Sequence, residues 1–419
     1  MLLSSWLRNA KRPAPAAELP TQTLESLEHR RLFSSVVVQT NLVSDDTDVT
    51  PAQVEDSNLV NPWGLAAGPT SNWWIANQGT GTSTLYNTSA PTVTVNPLVV
   101  DVPPNPGPAI FRDSPTGIVF NATGTGFNVT DADGNTGSSV FLFNTADGTV
   151  SGWSPGVDLT NAIIGAVSPR ANTIYLGLAI ATDRVGETRL YAADFFNNVI
   201  DVYDTNFNLV TNLAGDFSDP KLPAGYHAFN IQAIDDQLYV AYAPAGDILA
   251  GTAGPGQGAV NVYKADGALK RRLIRPGDTH VNQPWAIVKA PSDFGSFSND
   301  LLVGNFGDGT ISAFDPNSGR FEGMMKDADG EEIAIPHLWG LAFGNGAAAG
   351  PTNTLYFTAG LSSNLQGIPP FHGLFGSLTV AEHDGEDPFF GDYDDGDRDE
   401  DDRDDALLLP PSAILTDRV

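Results

Sequence analysis

The sequence contains no cysteine and few basic residues. Without cysteine, the chain has no disulfides, no thiolate metal sites and no cysteine nucleophile. Its 21 Lys and Arg residues are outnumbered by 50 Asp and Glu residues, and the net charge is −29 at pH 7. This charge repels the phosphates of nucleic acids and of anionic lipids. We therefore predict no nucleic-acid partner.

Long apolar runs are also missing. No stretch of about 18 consecutive apolar residues occurs, so the sequence predicts no transmembrane helix. Amphipathic helical periodicity is scarce between residues 36 and 381. Glycine and proline, in contrast, number 43 and 30, which is typical of many short strands joined by turns. These features predict an all-β chain.

One motif of an aromatic residue, a small residue and an apolar run recurs along the chain. It reads NPWGLAAG at 61–68, QPWAIVKA at 283–290 and HLWGLAFG at 337–344, with weaker copies at 114–120, 175–180 and 227–233. The aligned anchor residues are Trp63, Thr116, Leu176, Phe229, Trp285 and Trp339, at intervals of 53, 60, 53, 56 and 54 residues. Near-equal intervals indicate six copies of one structural unit.

Each copy is followed by further strand patterns. In the third copy these are RLYAAD at 189–194 and NNVIDVYD at 197–204, and in several copies a turn with Asp-Gly or Ser-Gly leads to a fourth strand. Six units of short antiparallel strands predict a six-bladed β-propeller. The last unit lacks a fourth strand, whereas VVVQTNLV at 36–43 precedes the first unit. We expect this N-terminal strand to close the ring, because closure removes an exposed sheet edge.

The anchor residues are interpreted as structural. Trp63, Phe229, Trp285 and Trp339 are expected to fill the wedges between adjacent blades rather than to form a ligand box, because large rings bury much apolar surface. The small residue after most anchors, usually glycine, is expected to let backbones approach one another near the axis.

The predicted propeller spans residues 36–381. Residues 1–35 are predicted to be a disordered export or targeting segment. Residues 382–419 are predicted to be an acidic low-complexity tail, because residues 382–405 carry a net charge of −12.

Polar residues stand two positions before five of the anchors, at Asn61, Ser114, His227, Gln283 and His337. Equivalent strand ends meet at one mouth of the central channel, so these side chains are predicted to form a polar ring that binds a ligand. The alternative is that they form capping hydrogen bonds where the strands begin. Imidazole binds metals and moves protons near neutral pH, but the spacing supplies no third ligand for the two histidines.

A second equivalent set, Asn77, Asp194 and Asn305, ends the second strands and is interpreted as bonding to turn backbone. Acidic turns at 131–137 and 327–332 raise the option of calcium, but neither these turns nor residues 395–405 have the spacing of an EF-hand loop. We therefore assign no cofactor and leave a divalent cation such as calcium open. No nucleophile elbow, phosphate loop or His-Glu-x-x-His motif is present, so no reaction is assigned.

Several segments together resemble a known group of proteins. TNLVSD at 40–45 is followed by NPWGLA, SPTGIVFN, RLYAADFFNNVIDVYD and NQPWAIV. This order resembles an uncharacterised family of bacterial exported propellers, some of which end in a PEP-CTERM sorting signal. The resemblance implies an NHL-like six-bladed fold and an extracellular or cell-surface location. The C-terminus of this chain departs from the pattern, because it shows no PEP-CTERM helix.

The N-terminus carries a second resemblance. Leu27, Glu28, Arg30, Arg31 and Leu32 are similar to the LEPR-type element of some exported bacterial proteins, with His29 at the position where proline is common. This similarity implies export.

Two functions follow as hypotheses. The preferred one is a monomeric, non-enzymatic binding or scaffold propeller outside the cell, whose partner is an unknown protein or glycan. The alternative is a metal-dependent hydrolase or lactonase that acts at the central channel, like the gluconolactonases that share a six-bladed fold. That reaction requires Glu, Asp or Asn ligands converging at the axis.

Overall fold

A computed structural model describes residues 36–107, 114–246, 253–360 and 372–381. The predicted N-terminal segment, residues 1–35, and the predicted acidic tail, residues 382–419, lie outside the described residues. Both assignments therefore stay predictions. Within the described ranges, no helix is long and apolar enough to span a membrane.

The described strands form six blade sheets that follow one another in chain order, and one separate two-stranded sheet. The chain begins with β1 (Val36–Ser44) and β2 (Val54–Glu55). Blade 1 consists of β3 (Pro62–Ala66), β4 (Trp73–Asn77), β5 (Thr82–Asn87) and β6 (Thr94–Asp101). Blade 2 contains β7 (Pro115–Phe120), a separate hairpin of β8 (Asn128–Thr130) and β9 (Thr136–Ser138), then β10 (Phe141–Thr145), β11 (Thr149–Trp153) and β12 (Ile163–Val167).

The remaining blades repeat this order. Blade 3 has three strands, β13 (Tyr175–Thr182), β14 (Thr188–Asp194) and β15 (Val199–Tyr203). Blade 4 consists of β16 (Tyr226–Ile234), β17 (Gln237–Pro244), β18 (Ala259–Tyr263) and β19 (Leu269–Ile274). Blade 5 consists of β20 (Pro284–Lys289), β21 (Leu301–Asn305), β22 (Ile311–Phe314) and β23 (Phe321–Met324). Blade 6 starts with β24 (Leu338–Phe343), β25 (Leu355–Ala359) and β26 (Leu374–Ala381).

The first strand of each blade is the innermost one. β3 contacts β7, β7 contacts β13, and the series continues through β16, β20 and β24 back to β3. Six first strands therefore surround one axis, and the later strands of each blade lie progressively outward. This arrangement confirms the predicted six-bladed β-propeller.

The N-terminal strand closes the ring as predicted. β1 pairs antiparallel with β26, from Val36 opposite Ala381 to Ser44 opposite Leu374, and so becomes the fourth strand of blade 6. β2 then adds to β1 in parallel, which the sequence did not predict. Just beyond the paired residues, the carboxylate of Asp45 accepts a hydrogen bond of 2.8 Å from the backbone N–H of Gly373. Both ends of the propeller thus belong to one blade.

The wedges between blades are filled by the second and third strands. Trp73 and Trp74 are adjacent in β4, and their side chains point to opposite faces of the blade. The Trp73 ring lies 5.0 Å from Tyr356 of blade 6, and the Trp74 ring lies 4.4 Å from Phe141 of blade 2. Each indole is almost fully buried. At about 25 cal/mol per Å² of buried apolar surface, each contributes roughly 5 kcal/mol before entropy is subtracted.

The closing strand provides a test of this fold on two neighbouring valines. Val37 of β1 is 1% exposed and Val38 is 46% exposed, because they face opposite sides of the sheet. Val37→Ala should lower the free energy of unfolding by about 2 kcal/mol, through lost burial and a small cavity. Val38→Ala, the matched control, should change it by less than about 0.5 kcal/mol. Urea unfolding followed by circular dichroism measures both, and equal effects would contradict the pairing of β1 with β26.

Candidate functional site

Every innermost strand is irregular at its anchor residue. The pairing between the first and second strands of each blade shifts register within 62–65, 115–118, 175–177, 228–230, 284–286 and 338–341. Each of these ranges contains one anchor. A β-bulge redirects a side chain and frees main-chain groups from the ladder. The recurring motif therefore encodes a bulge at the axis.

The bulges direct the anchor rings into the channel. Trp63 of blade 1 stacks on Trp339 of blade 6 with ring centroids 3.5 Å apart. Trp285 of blade 5 stands nearly perpendicular to both, at 6.2 and 5.7 Å. Phe229 and Phe306 lie 6.0 and 4.2 Å from Trp339. We call these five residues the axial plug. Blades 1 and 5 are not neighbours, so the rings meet over the axis, and their predicted place in the wedges between blades is wrong.

Side chains from one blade hold the main chain of the next blade at these bulges. The side-chain amide of Asn230 in blade 4 donates to the carbonyl of Trp285 at 2.7 Å. The hydroxyl of Thr116 in blade 2 donates to the carbonyl of Tyr175 in blade 3, also at 2.7 Å. Thr358 in blade 6 donates in the same way to Trp63. The bulges leave carbonyls for which neighbouring blades supply donors, which fixes the spacing of blades at the axis.

The small residues beside the anchors permit this close approach, as predicted. A Cβ atom on Gly64 would lie 2.7 Å from the carbonyl oxygen of Thr116. A Cβ atom on Gly117 would lie 2.6 Å from the backbone nitrogen of Leu178. Both obstacles are backbone atoms of the next blade, which cannot rotate away.

Gly117→Ala tests the close contact between blades. We expect it to lower the free energy of unfolding by about 2 kcal/mol or more, because overpacking forces backbone shifts. Gly156→Ala is the matched control, since nothing lies within 4 Å of the added Cβ atom at that position. Thermal unfolding of the two variants measures the difference. An unchanged melting temperature for Gly117→Ala would contradict the packing of blades 2 and 3.

The predicted polar ring lies at the mouth nearest the plug. Asn61, Gln283 and His337 adopt left-handed backbone conformations with φ of 47°, 51° and 52°, directly before their strands begin. The side-chain amide of Asn61 donates to Gln78 at 2.6 Å, and Gln78 donates in turn to the hydroxyl of Ser114 at 3.1 Å. The structure therefore brings Asn61 and Ser114 together through Gln78, whose part the sequence analysis did not identify.

These polar groups also secure the plug. The indole N–H of Trp339 donates to the side-chain oxygen of Asn61 at 3.3 Å. Asn61, Ser114 and Gln283 are all buried. The alternative from the sequence is that these residues form capping hydrogen bonds where the strands begin. The contacts of Asn61 are of that kind. Whether the five residues bind a ligand stays a prediction.

The two histidines of this ring do not come together as one site. Nδ1 of His227 lies 2.7 Å from the carbonyl oxygen of Phe195. Burial lowers the pKa of the His337 imidazole, so it is neutral at neutral pH. A series of aromatic rings separates the two histidines. His227 contacts Phe195, which contacts Phe229. Phe229 contacts Phe306, which contacts His337, and all four centroid distances are 5.5 to 5.9 Å. The pair therefore supplies no shared metal site.

The residues at the ends of the second strands are structural, as interpreted from the sequence. Asp194 accepts hydrogen bonds from the backbone N–H groups of Ile174 and Asn197, and burial raises the pKa of its carboxyl. Asn305 accepts from the backbone N–H of Asn282 at 3.0 Å. Asn77 differs in detail, because its amide donates to the hydroxyl of Thr84 on the next strand.

The acidic turns use their carboxylates internally. Asp131 accepts hydrogen bonds from the backbone N–H groups of Asp133 and Asn135. Asp327 does the same for Asp329 and Glu331. Across the parts of the chain that the structure describes, no group of three or more His, Cys, Asp or Glu side chains could hold a metal ion. Residues 395–405 lie outside those parts, and the calcium option is not tested there.

A cavity of about 350 Å³ lies on the axis. It is on the side of the axial plug that faces the C-terminal ends of the innermost strands. All six innermost strands line it, and each does so through consecutive residues, such as Leu178, Ala179 and Ile180 of β13. Consecutive side chains point to opposite faces of a strand, so the strand edge itself faces the cavity. We call this space the axial cavity.

The described walls of the axial cavity carry no charged side chain. Among the described residues that line it, none has a titratable side chain. Its polar side-chain groups are the amides of Asn230, Gln232 and Asn345 and the indole N–H groups of Trp73 and Trp285. Asn230 holds the carbonyl of Trp285. Asn345 donates to the carbonyls of Gly68 and Ser71. Gln232 was not identified from sequence. It stands three positions after its anchor, where the other five repeats have alanine or valine.

One carboxyl group away from the axis is strongly perturbed. Burial and the nearby carboxylates of Glu322 and Asp315 raise the pKa of Asp300 to about 6, from an ordinary value of 3.8, although Arg320 opposes this shift. Because the folded state binds this proton more tightly, the group stabilises the fold below about pH 4, and that contribution is lost as the pH rises through 6.

Asp300→Asn should therefore stabilise the protein at pH 7.5. After allowance for solvent screening, we expect about 1 kcal/mol, with the difference vanishing near pH 4. Melting temperatures of wild type and variant at both pH values measure this. Asp293→Asn, in the exposed loop before β21, removes the same charge and is the control. An equal gain from Asp300→Asn at both pH values would contradict the assigned pKa.

Sequence comparison identifies relatives of this chain. The chain is 36% identical over 341 residues to an uncharacterised protein, R648, of Acanthamoeba polyphaga mimivirus, covering 78% of each chain. It is 33% identical over 299 residues to a second uncharacterised mimivirus protein, L690, covering 68% of this chain and 74% of the relative. This chain belongs to their family. No family model matches the sequence.

Solved structures are similar to this member of the R648 family only in fold. A catalytically inactive virginiamycin B lyase from Staphylococcus aureus aligns with a TM-score of 0.41 and 12% identity, over 82% of this chain and 99% of the lyase. The WD40 β-propeller domain of Doa1 aligns with a TM-score of 0.43 and 9% identity, over 83% of this chain and 98% of the domain.

The predicted membership of a bacterial exported family is wrong, since the relatives of this chain are mimivirus proteins. Segments such as NPWGLA and NQPWAIV, on which that prediction depended, contain the axial motif. The residues of this motif are determined by packing at the axis. They therefore indicate the propeller fold and not a particular family. The LEPR-type element lies at residues 27–32, outside the described residues, and the predicted location outside the cell stays untested.

Proposed function

We propose that this protein is a non-catalytic binding propeller whose axial cavity takes a small neutral molecule. The observation that carries the proposal is the wall of the cavity, to which all six blades contribute and in which none of the described lining residues is titratable. A volume of about 350 Å³ is at the lower end of the range for small-molecule sites.

The chemistry of the wall favours binding over catalysis. A general acid or base requires a side chain that exchanges protons near the operating pH. The alternative function, a metal-dependent hydrolase or lactonase, requires carboxylate or amide ligands converging at the axis. Asn230 and Asn345 are the asparagines of the described lining, and their side-chain amides are engaged by backbone carbonyls. Binding is therefore the function that the cavity supports best.

Filling the cavity tests this proposal. Ala233→Phe and Ala66→Phe place a ring at the cavity from two sides, since both alanines line it and are partly exposed. We expect phenol, benzamide or methyl β-glucoside to bind wild-type protein in saturation-transfer NMR, and both variants to lose at least ninety per cent, roughly tenfold, of that binding. Ala171→Phe, in an exposed turn outside the cavity, is the control and should bind like wild type.

Two further measurements, of native packing and of substrate turnover, distinguish the possible results. Near-ultraviolet circular dichroism must show that the variants keep native packing. Binding of all three probes that is unchanged in both cavity variants would overturn the axial site. Turnover of lactone or ester substrates by the wild type, lost on filling the cavity, would favour the hydrolase instead.

A further inference from the structure

In the described lining of the axial cavity, one amide side chain has free hydrogen-bonding capacity. The indole N–H groups of Trp73 and Trp285, which also line the cavity, have no partner among the described residues either, but they can only donate. Gln232 lies on β16, lines the cavity and is partly exposed. Its carboxamide has no hydrogen-bond partner among the residues that the structure describes, whereas Asn230 and Asn345 are engaged in the frame of the propeller. A carboxamide offers two N–H donors and an acceptor oxygen. It can therefore bind a group that both donates and accepts.

The main chain around the cavity also requires a ligand that both donates and accepts hydrogen bonds. In the described sheets, each innermost strand stands at the end of its strand order and pairs on one side. The opposite edge faces the axis and presents alternating N–H and C=O groups, which require polar partners. An apolar ligand that covered them would leave each covered group unsatisfied. A hydroxyl group is suited to such a wall, because it donates one hydrogen bond and accepts others.

The apolar side chains of the cavity and the net charge of the protein restrict the chemistry of the ligand further. Between the strand edges the cavity is lined by aliphatic side chains, including Leu65, Ile118 and Leu341. The described lining carries no cation to bind an anion and no carboxylate to bind a cation. The net charge of −29 also disfavours anionic ligands. The ligand should therefore be neutral and should present both hydroxyl groups and C–H surface.

We propose that the axial cavity binds a neutral sugar ring and that Gln232 is the residue that determines specificity. This inference rests on the proposed function. A pyranose combines hydroxyl groups with an apolar C–H face, and one ring suits a cavity of about 350 Å³. A peptide also has donors and acceptors. However, the axial plug closes the inner end of the channel, so a compact terminal unit is accommodated better than an extended chain.

Sugar binding is tested with wild-type protein and two glutamine variants. The probes are the methyl glycosides of glucose, galactose and N-acetylglucosamine, together with phenol and N-acetylalanine methylamide. Calorimetry and saturation-transfer NMR should show that at least one glycoside binds the wild type. Gln232→Leu should weaken that glycoside about tenfold, as expected for a lost hydrogen bond, and leave phenol unchanged. Gln237→Leu, on the neighbouring strand outside the axial cavity, should bind like wild type.

The outcomes separate this inference from the proposed function. If phenol binds and is lost on filling the cavity while no glycoside binds, the sugar proposal is overturned and the binding function stands. Preferential binding of N-acetylalanine methylamide would also overturn it, in favour of a peptide. If no probe binds, both proposals fail. Equal weakening of a glycoside by both glutamine variants would remove the special role of Gln232.

Discussion

Crowding at the axis is the constraint on which the rest of the structure depends. Six strands meet there, each with one edge that has no strand beside it. A regular ladder would point bulky anchor side chains into the neighbouring blade. The bulge at each anchor turns the side chain towards the axis instead, and the small residue beside it admits the backbone of the next blade. Asn230, Thr116 and Thr358 then bind carbonyls across the blade boundaries.

The same constraint divides the channel into two different ends. Large anchor rings occur in blades 1, 4, 5 and 6, so they gather into the axial plug at the end where the innermost strands begin. The polar side chain of Asn61 at that end holds the indole of Trp339. The other end contains the axial cavity, whose walls are strand edges and aliphatic side chains. One end is thus filled by packed rings, where the indole N–H groups of Trp63 and Trp285 are buried without a hydrogen-bond partner in the described part of the chain. The other end is an open space beside the free amide of Gln232.

Much of the fold could be predicted because its signals are local. The spacing of anchors such as Trp63 and Trp285 indicated six units, and the missing fourth strand of the last unit indicated closure by residues 36–43. The glycine beside the anchor could be read correctly, since only close backbone approach explains its recurrence. The structural role of Asp194 and Asn305 followed from their position at strand ends. The family assignment failed, because motifs imposed by packing do not distinguish one lineage of propellers from another.

The sequence alone determined the number of blades, the closure of the ring and the positions that require small residues, because each of these depends on spacing and on backbone space. Only the tertiary structure decided where the anchor rings point, since a bulge appears only when two strands pair and their register is fixed. It also separated Asn230, which is engaged by Trp285, from Gln232, which is free. Both are amide side chains two residues apart on β16, and the partner that separates them, the carbonyl of Trp285, comes from the next blade and is distant in sequence.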